Sequence, residues 1–185
     1  MQFNCQETDE TVLYKLLTGT IIPRPIGWIS TIDENGINNL APFSYFNMVS
    51  SKPPCVMFST RRDNNKNKDT LNNVLQNEEF VVNLVTHDVV EQMNTTSASV
   101  ELTVDEFQLA LVKPKRVKES LVHLECKKIH HYFIKDENGN ETACVIIGQI
   151  QIIHIDDAIL MENNHINLDK YKPVARLAGS NYGTL

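Results

Sequence analysis

The sequence predicts a mainly β fold with short helices, a closed barrel of strands with helices at its ends. Three observations predict it. Strand-like runs recur along most of the chain, six or seven in all, and several are rich in β-branched and aromatic residues. The helical patterns between them are few and short. No GxGxxG run follows a strand, so a doubly wound dinucleotide-binding sheet has no support.

The elements follow in order. Residues 9 to 18 carry Val12, Leu13, Leu16 and Leu17 at helical spacing, with Asp9 or Thr11 as cap. Residues 26 to 32 read as a strand, and Asp33-Glu34-Asn35-Gly36 as a tight turn, because Asn and Gly tolerate positive φ. Residues 37 to 48 read as a second strand, bulged or regular. Pro53-Pro54 introduces a third, Cys55 to Thr60, and Arg61 to Asn67 is a polar loop. Asp69 caps a helix over Thr70 to Asn77, with Leu71, Val74 and Leu75 on one face. Phe80 to Val85 is a buried strand and Val89 to Asn94 a helical turn. Val104-Asp105-Glu106-Phe107 starts another helix, and Pro114 ends any helix that reaches it. Residues 122 to 134 and 142 to 155 form a hairpin around Asp136-Glu137-Asn138-Gly139-Asn140. Residues 158 to 170 read as loop and turn. No low-complexity linker or internal repeat interrupts the chain, so residues 1 to 185 read as one domain.

At 185 residues the chain can bury a sizeable core, and its apolar content is that of a globular protein. A formal charge of −6 argues against non-specific nucleic-acid binding but leaves room for a local basic pocket. The four cysteines show no CxxC pair or Cys/His ligand spacing, so structural zinc is not expected. Cys126 and Cys144 sit in apolar runs and read as buried reduced thiols. There is no secretory leader pattern and no apolar run of membrane-spanning length. A cytoplasmic protein is expected, with neither nucleic acid nor membrane as partner.

Residues suited to acid–base or metal chemistry are scattered. His130 and His131 occupy successive strand positions and point to opposite faces. Asp156-Asp157 has no further carboxylates at ligand spacing, and no nucleophile elbow occurs. No metal site or catalytic side chain is expected. His87-Asp88 could border a ligand, while His123, His154 and His165 suit surface or structural roles. Trp28 suits a core or interface anchor.

Two stretches suit a ligand better. Ser59-Thr60-Arg61-Arg62 ends a strand, and Lys68-Asp69-Thr70 opens a helix. Hydroxyls, cations and the free amides of a helix start favour a phosphate. On local pattern alone, a solvated basic loop with an ordinary cap is the commoner arrangement. In the second stretch, Asn39, Ala41, Pro42 and Ser44 set small groups where a flat ring could approach the backbone. Phe43, Tyr45 and Phe46 alternate, so Tyr45 faces away from its two neighbours. On local pattern alone, a half-buried strand with core aromatics is again the commoner arrangement.

Taken together, these segments resemble the flavin reductase-like family, which includes flavoredoxins and the reductase component of nitrilotriacetate-type two-component monooxygenases. The resemblance is carried by Pro23 to Thr31, Asn39 to Phe46, Ser50 to Pro54, Lys68 to Asn73, Glu79 to Val85, Met93 to Ala98, Val104 to Phe107, His154 to Ala158 and Pro173 to Gly179. It implies an FMN-binding split β-barrel of Greek-key type, holding FMN non-covalently at a homodimer interface. It implies that Asn39, Leu40, Ala41, Pro42, Phe43 and Ser44 line the isoalloxazine. Ser59, Thr60, Arg61, Arg62, Lys68, Asp69 and Thr70 would hold the ribityl phosphate. Asn83 and Thr86 would lie near the flavin or its ribityl chain, and Arg176 and Tyr182 would approach the cofactor.

The implied activity is NAD(P)H-dependent hydride transfer to the flavin N5, then onward transfer to free flavin, a monooxygenase partner or another acceptor. A flavin-binding electron carrier or sensor without NAD(P)H turnover is the alternative. A haem-binding or structural relative is a third reading, and Lys68-Asp69-Thr70 speaks against it because haem carries no phosphate.

Overall fold

The computed structural model describes residues 1–62, 66–98, 104–113 and 116–184. Pro114 and the middle of the polar loop after Arg62 lie outside them. Strand is the commonest regular element of the backbone. A seven-stranded antiparallel sheet contains β2 (Gly27–Ile32), β3 (Asn38–Phe43), β4 (Phe46–Ser51), β5 (Pro54–Arg61), β6 (Glu79–Leu84), β7 (Val122–Lys135) and β8 (Glu141–Ile155). Their order across the sheet is β3-β2-β6-β7-β8-β5-β4. A second sheet of three short strands joins β1 (Arg24–Pro25), β9 (Val174–Arg176) and β10 (Tyr182–Thr184).

The sheet curls into a barrel, but the closure expected from the sequence is not made: among the described residues no ladder joins β3 to β4. The expected second strand over 37 to 48 is two strands, β3 and β4, which lie at opposite edges of the sheet. A period-2 pattern gives the face of a side chain but not the neighbour of its strand. Only Ser44 and Tyr45 join the two edges, and the Ser59 amide donates to the Tyr45 carbonyl at 2.8 Å, extending the β4–β5 ladder by one residue. Phe43 and Phe46 are buried and Tyr45 is exposed, as the alternation expected.

Local chemistry explains the hairpin turn between β2 and β3. One carboxylate oxygen of Asp33 accepts from the Asn35 amide at 2.9 Å and the Ile37 amide at 2.7 Å. Gly36 then adopts φ +83°, where a Cβ would be strained. Asp136 plays the same part between β7 and β8, accepting from the amides of Asn138 and Asn140.

Both faces of β2 are covered, which is why its residues are buried in succession rather than alternately. On the inner face, Ile29 joins Phe43, Phe58, Phe80, Val82 and Ile146. The rings of Phe43, Phe58 and Phe80 form a chain with centroids 5.0 and 5.3 Å apart. Gly148 leaves room for this packing, since a Cβ there would stand 2.3 Å from Cζ of Phe80. On the outer face, Trp28 packs with Leu40, Met93, Phe107 and Val117, and its indole N–H donates to Thr96 Oγ1 at 2.8 Å. Trp28 is therefore a core residue.

The helices lie around this frame: α1 (Glu10–Thr20), α2 (Asp69–Asn77), α3 (Val90–Thr95), α4 (Glu106–Leu109) and α5 (Leu168–Tyr171). Asp9 caps α1, accepting from the amides of Thr11 and Val12. The expected cap of α2 shifts by one residue: Lys68 is the N-cap and Asp69 the first helical residue, with no side-chain cap hydrogen bond. Between 158 and 170 the expected loop holds a 3-10 turn and the start of α5. Cys55, Cys126 and Cys144 are buried and unpaired, and Cys5 is exposed. Among the described residues no helix is long and apolar enough to cross a membrane.

Candidate functional site: a cationic cavity at the seam

Where β3 passes to β4 the seam opens into a cavity of about 460 Å³. That lies within the range of about 300–1,000 Å³ usual for small-molecule sites. Pro42, Phe43, Ser44 and Tyr45 form one wall, and Ser59, Thr60 and Arg61 at the end of β5 form a second. Lys68 enters from the start of α2, Met93 and Ser97 from α3 and the turn after it. Tyr14 and Thr18 of α1 face the cavity, as do Arg24, Arg176, Gly179 and Tyr182 around the small sheet.

The charges in this cavity are one-sided. Arg24, Arg61, Lys68 and Arg176 line it, and no described carboxylate does. In a chain of formal charge −6, such a concentration of cations makes the cavity electrostatically suited to an anion. The Asp69 and Thr70 amides at the start of α2 add to it, because Lys68 offers them no side-chain acceptor, whereas the Leu71 amide donates to the Lys68 carbonyl at 2.9 Å.

A smaller recess of about 200 Å³ shares Pro42, Phe43, Lys68 and Ser97 with the main cavity. Asn39, Ala41, Asp69, Thr70 and Glu106 complete much of its lining. A buried network holds it: Asn39 Nδ2 donates to Thr70 Oγ1 at 2.9 Å and to Thr31 Oγ1 at 3.2 Å, and Asn73 Nδ2 donates to Thr31 Oγ1 at 3.0 Å. These bonds fasten α2 against β2 and β3. On the outer edge of β3, the Leu40 amide donates to Glu106 Oε2 at 3.3 Å and Asn38 Nδ2 to Asp105 Oδ2 at 3.0 Å, so α4 stands where a neighbouring strand would. Burial pushes the carboxyl of Glu106 up, and the nearby Asp69 and Asp105 add to the shift. Burial also raises Asp69, against the pull of Lys68.

The structure brings most of the sequence-predicted residues together. Pro42, Phe43, Ser44, Ser59, Thr60, Arg61, Lys68, Arg176 and Tyr182 line the main cavity, and Asn39, Ala41, Asp69 and Thr70 the recess. Four stand apart. Leu40 is fully buried among the outer core residues. Arg62 pairs with Glu141, and its guanidinium carbon lies 5.4 Å from the Phe133 ring centroid. Asn83 is a core strut: Nδ2 donates to the Trp28 carbonyl at 2.8 Å, and Oδ1 accepts from the Val117 amide at 2.9 Å. Thr86 is buried and bridges to Pro173. His87 and Asp88 are exposed beside each other and do not line the cavity.

Arg176 and Tyr182 act as a unit. The guanidinium carbon lies 4.7 Å from the ring centroid, Nη1 donates to the phenol oxygen, and Nη2 donates to the Gly179 carbonyl at 2.7 Å. The tyrosine hydroxyl donates to Asn94 Oδ1 at 3.0 Å. Sequence reasoning missed Tyr14, Thr18, Arg24, Met93, Ser97 and Glu106. Met93, Ser97 and Glu106 lie in segments that carry the family resemblance, whereas α1 gave no signal beyond its apolar spacing.

The arrangement resembles known proteins along its whole length. Residues 18–171 match the flavin reductase like domain. An uncharacterized protein of Aquifex aeolicus is 44% identical, covering 98% of this chain and 94% of its own. The structure of nitrilotriacetate monooxygenase component B from Bacillus cereus matches at TM-score 0.95 and 32% identity, over 100% of this chain and 95% of that one. A Shewanella frigidimarina protein described with a split barrel domain matches at TM-score 0.84 and 21% identity, over 100% of this chain and 94% of its own, a likeness of fold.

Proposed function

The chain belongs to the flavin reductase-like family, and on that premise we propose that it is an FMN-dependent oxidoreductase reduced by NAD(P)H. One observation carries the reading: a ring-sized cavity lined by four cations and no described carboxylate, with the open amides of α2 at its edge. The donor set fits FMN. Ser59, Thr60, Lys68 and Thr70, with the first turn of α2, suit the phosphate by charge and by hydrogen bonding. Ala41, Pro42, Phe43 and Ser44 present small groups and backbone to a flat ring.

Bound there, FMN supplies the two-electron hydride chemistry. The side chains bind and orient. Asn39 acts through Thr70, holding the start of α2 at a fixed distance from β3. Phe43 gives an apolar wall that excludes water from one side of the cavity, and Arg176 braces Tyr182. No described acid or base lines the main cavity apart from its cations and tyrosines, which suits a reaction whose chemistry lies in the cofactor.

The proposal includes a homodimer with the flavin near its interface. Exposed apolar side chains on β4, β7 and β8, among them Met48, Tyr132 and Ile153, support such an association. The buried unpaired thiols suit the reducing cytoplasm. A monooxygenase is one candidate acceptor, by likeness to the Bacillus cereus component; free flavin is another.

The test is an absorbance spectrum of the purified protein, FMN titration, then anaerobic addition of NADH or NADPH. Flavin absorbance that bleaches on addition supports the reading. Protein that binds no added FMN overturns it. FMN that binds but is not bleached points to an electron carrier or sensor.

A further inference from the structure

A second cleft, of about 350 Å³, opens between the β2–β3 turn, helix α2 and the start of α4. It shares no lining residue with the cationic cavity, and its charge is of the opposite sign. Four carboxylates, Asp33, Glu34, Asp69 and Glu106, line it together with six side-chain amides. No described lysine, arginine or histidine does. Ile37 and Val104 are its apolar residues.

Some of these groups are tied and others are open. The turn takes up both oxygens of Asp33. Gln76 Nε2 donates to Glu34 Oε2 at 2.9 Å, bridging helix and turn. The Asp69 carboxylate accepts no hydrogen bond from a described residue, and Lys68, whose charge pulls it down, lines the cationic cavity instead. Glu106 is buried, and backbone amides alone reach it, that of Leu40 at 3.3 Å among them, while Asp69 and Asp105 repel it. Among the described residues neither Asp69 nor Glu106 forms an ion pair. Two amide oxygens are open as well. Asn73 and Asn39 are 6% and 7% exposed, and their Nδ2 groups donate to Thr31 and Thr70. Their Oδ1 atoms have no described donor and are not sealed from the cleft. Buried acceptors without donors are costly unless a guest supplies them, and here the guest must also bring positive charge.

A metal ion does not suit this arrangement. Among the described residues no three His, Cys, Asp or Glu groups converge closely enough to hold one. The carboxylates are spread round the cleft instead, which suits several ammonium groups on one chain. We infer that the cleft binds a linear polyamine. Its ammonium groups meet Glu106, Asp69 and Glu34 and the open oxygens of Asn39 and Asn73. The methylene stretches between them pass over Ile37 and Val104. Asn39, Asp69 and Glu106 also border the recess, so the bound cation offsets the carboxylates nearest to it.

The test titrates spermidine into the purified protein by calorimetry, at about 0.15 M ionic strength so that loose surface attraction is screened. Wild type is expected to bind one equivalent saturably. Glu106→Gln keeps an acceptor for the Leu40 amide and is expected to weaken binding about tenfold, the scale of one lost hydrogen bond to a charged group. Glu34→Gln, on the exposed turn, is expected to weaken it about threefold, as for an exposed ion pair. Glu137→Gln, at the turn between β7 and β8, is expected to leave the affinity unchanged. Urea unfolding checks that each variant is folded. No saturable binding in wild type overturns the inference, as does an unchanged affinity in either of the first two variants. A loss in Glu137→Gln as large as in Glu106→Gln also overturns it, as does displacement of spermidine by an equal concentration of magnesium ion, since either marks diffuse charge. Protein that binds spermidine but takes up no FMN supports this site and counts against the cofactor reading alone.

Discussion

Asn39 Nδ2 donates to Thr70 Oγ1 at 2.9 Å, and this bond joins the strand proposed to face the ring to the helix start proposed to hold the phosphate. Thr70 is thereby oriented: its oxygen accepts from Asn39, leaving its proton for a ligand. Replacing Thr70 and Lys68 together by alanine removes a hydroxyl and a charge from the anion site. FMN binding should weaken by about 2–3 kcal/mol, the scale of lost charge-assisted hydrogen bonds. Thr70→Ser keeps the hydroxyl and should keep the affinity. Fluorescence titration of FMN into each variant measures the difference.

Arg62 is predicted to matter for stability rather than for cofactor. It pairs with Glu141 and stacks on Phe133 at the start of the β7–β8 hairpin. Arg62→Ala should lower the urea-unfolding stability by about 1 kcal/mol and leave FMN affinity within about twofold. A large loss of flavin affinity at unchanged stability would return Arg62 to the phosphate site.

Gly148→Ala should be strongly destabilising. The new methyl carbon would meet the Phe80 ring at 2.3 Å and Cβ of Cys126 at 3.2 Å, inside a close-packed core. Overpacking of this kind costs about 1–3 kcal/mol. Chemical denaturation reads it directly.

Two buried groups should shape the pH dependence in opposite senses. Burial raises the Glu106 carboxyl above its ordinary 4.5, so the fold favours the protonated form. Its favourable contribution is complete below that value and is lost as pH rises through the raised folded value. Glu106→Gln, which keeps an acceptor for the Leu40 amide, should therefore be more stable than wild type at neutral pH, with the gap closing below pH 4.5. Burial lowers His123 below 6.5, and its Nε2 lies 2.8 Å from the Val117 carbonyl, so the neutral ring donates there. That contribution is present above 6.5 and is lost as pH falls toward the lowered folded value. His123→Gln should flatten this acid-side decline. Urea midpoints measured across both windows check the two signs.

Thiol reactivity should divide the cysteines one against three. Cys5 is exposed, while Cys55, Cys126 and Cys144 are buried, and burial pushes the Cys126 thiol up to about 12. Native protein should take up one equivalent of a thiol reagent quickly, and denatured protein four.

The parts of the fold legible in the sequence are those fixed within a few residues. The Asp33 and Asp136 turns are written in side chains that bond the next amides, and Asp9 announces α1. That Ser59, Thr60 and Lys68 would meet at one place was legible because hydroxyls, a cation and a helix start together suit an anion, and the structure sets all three on one cavity. What a chain cannot show locally is which strand lies next to which. Residues 37 to 48 alternate as one strand would, yet they supply the two opposite edges of the sheet. The family resemblance put Asn83 near the flavin or its ribityl chain. In the structure its amide ties the Trp28 carbonyl to the Val117 amide, two groups far from it in sequence. Tyr14 and Arg24 reach the cavity only once the small sheet has brought the N- and C-terminal segments together.

The seam between β3 and β4 has a mechanical consequence. Elsewhere in the sheet, neighbouring strands resist separation through a ladder of hydrogen bonds, each of which must break before a gap appears. At the seam no hydrogen-bond ladder among the described residues joins the two edges, and Ser44–Tyr45 is the covalent link between them. Widening the mouth there requires rotation about a few backbone torsions, and the rest of the cylinder keeps its shape. The wall proposed to face the flavin is thus the compliant lip of an otherwise stiff vessel.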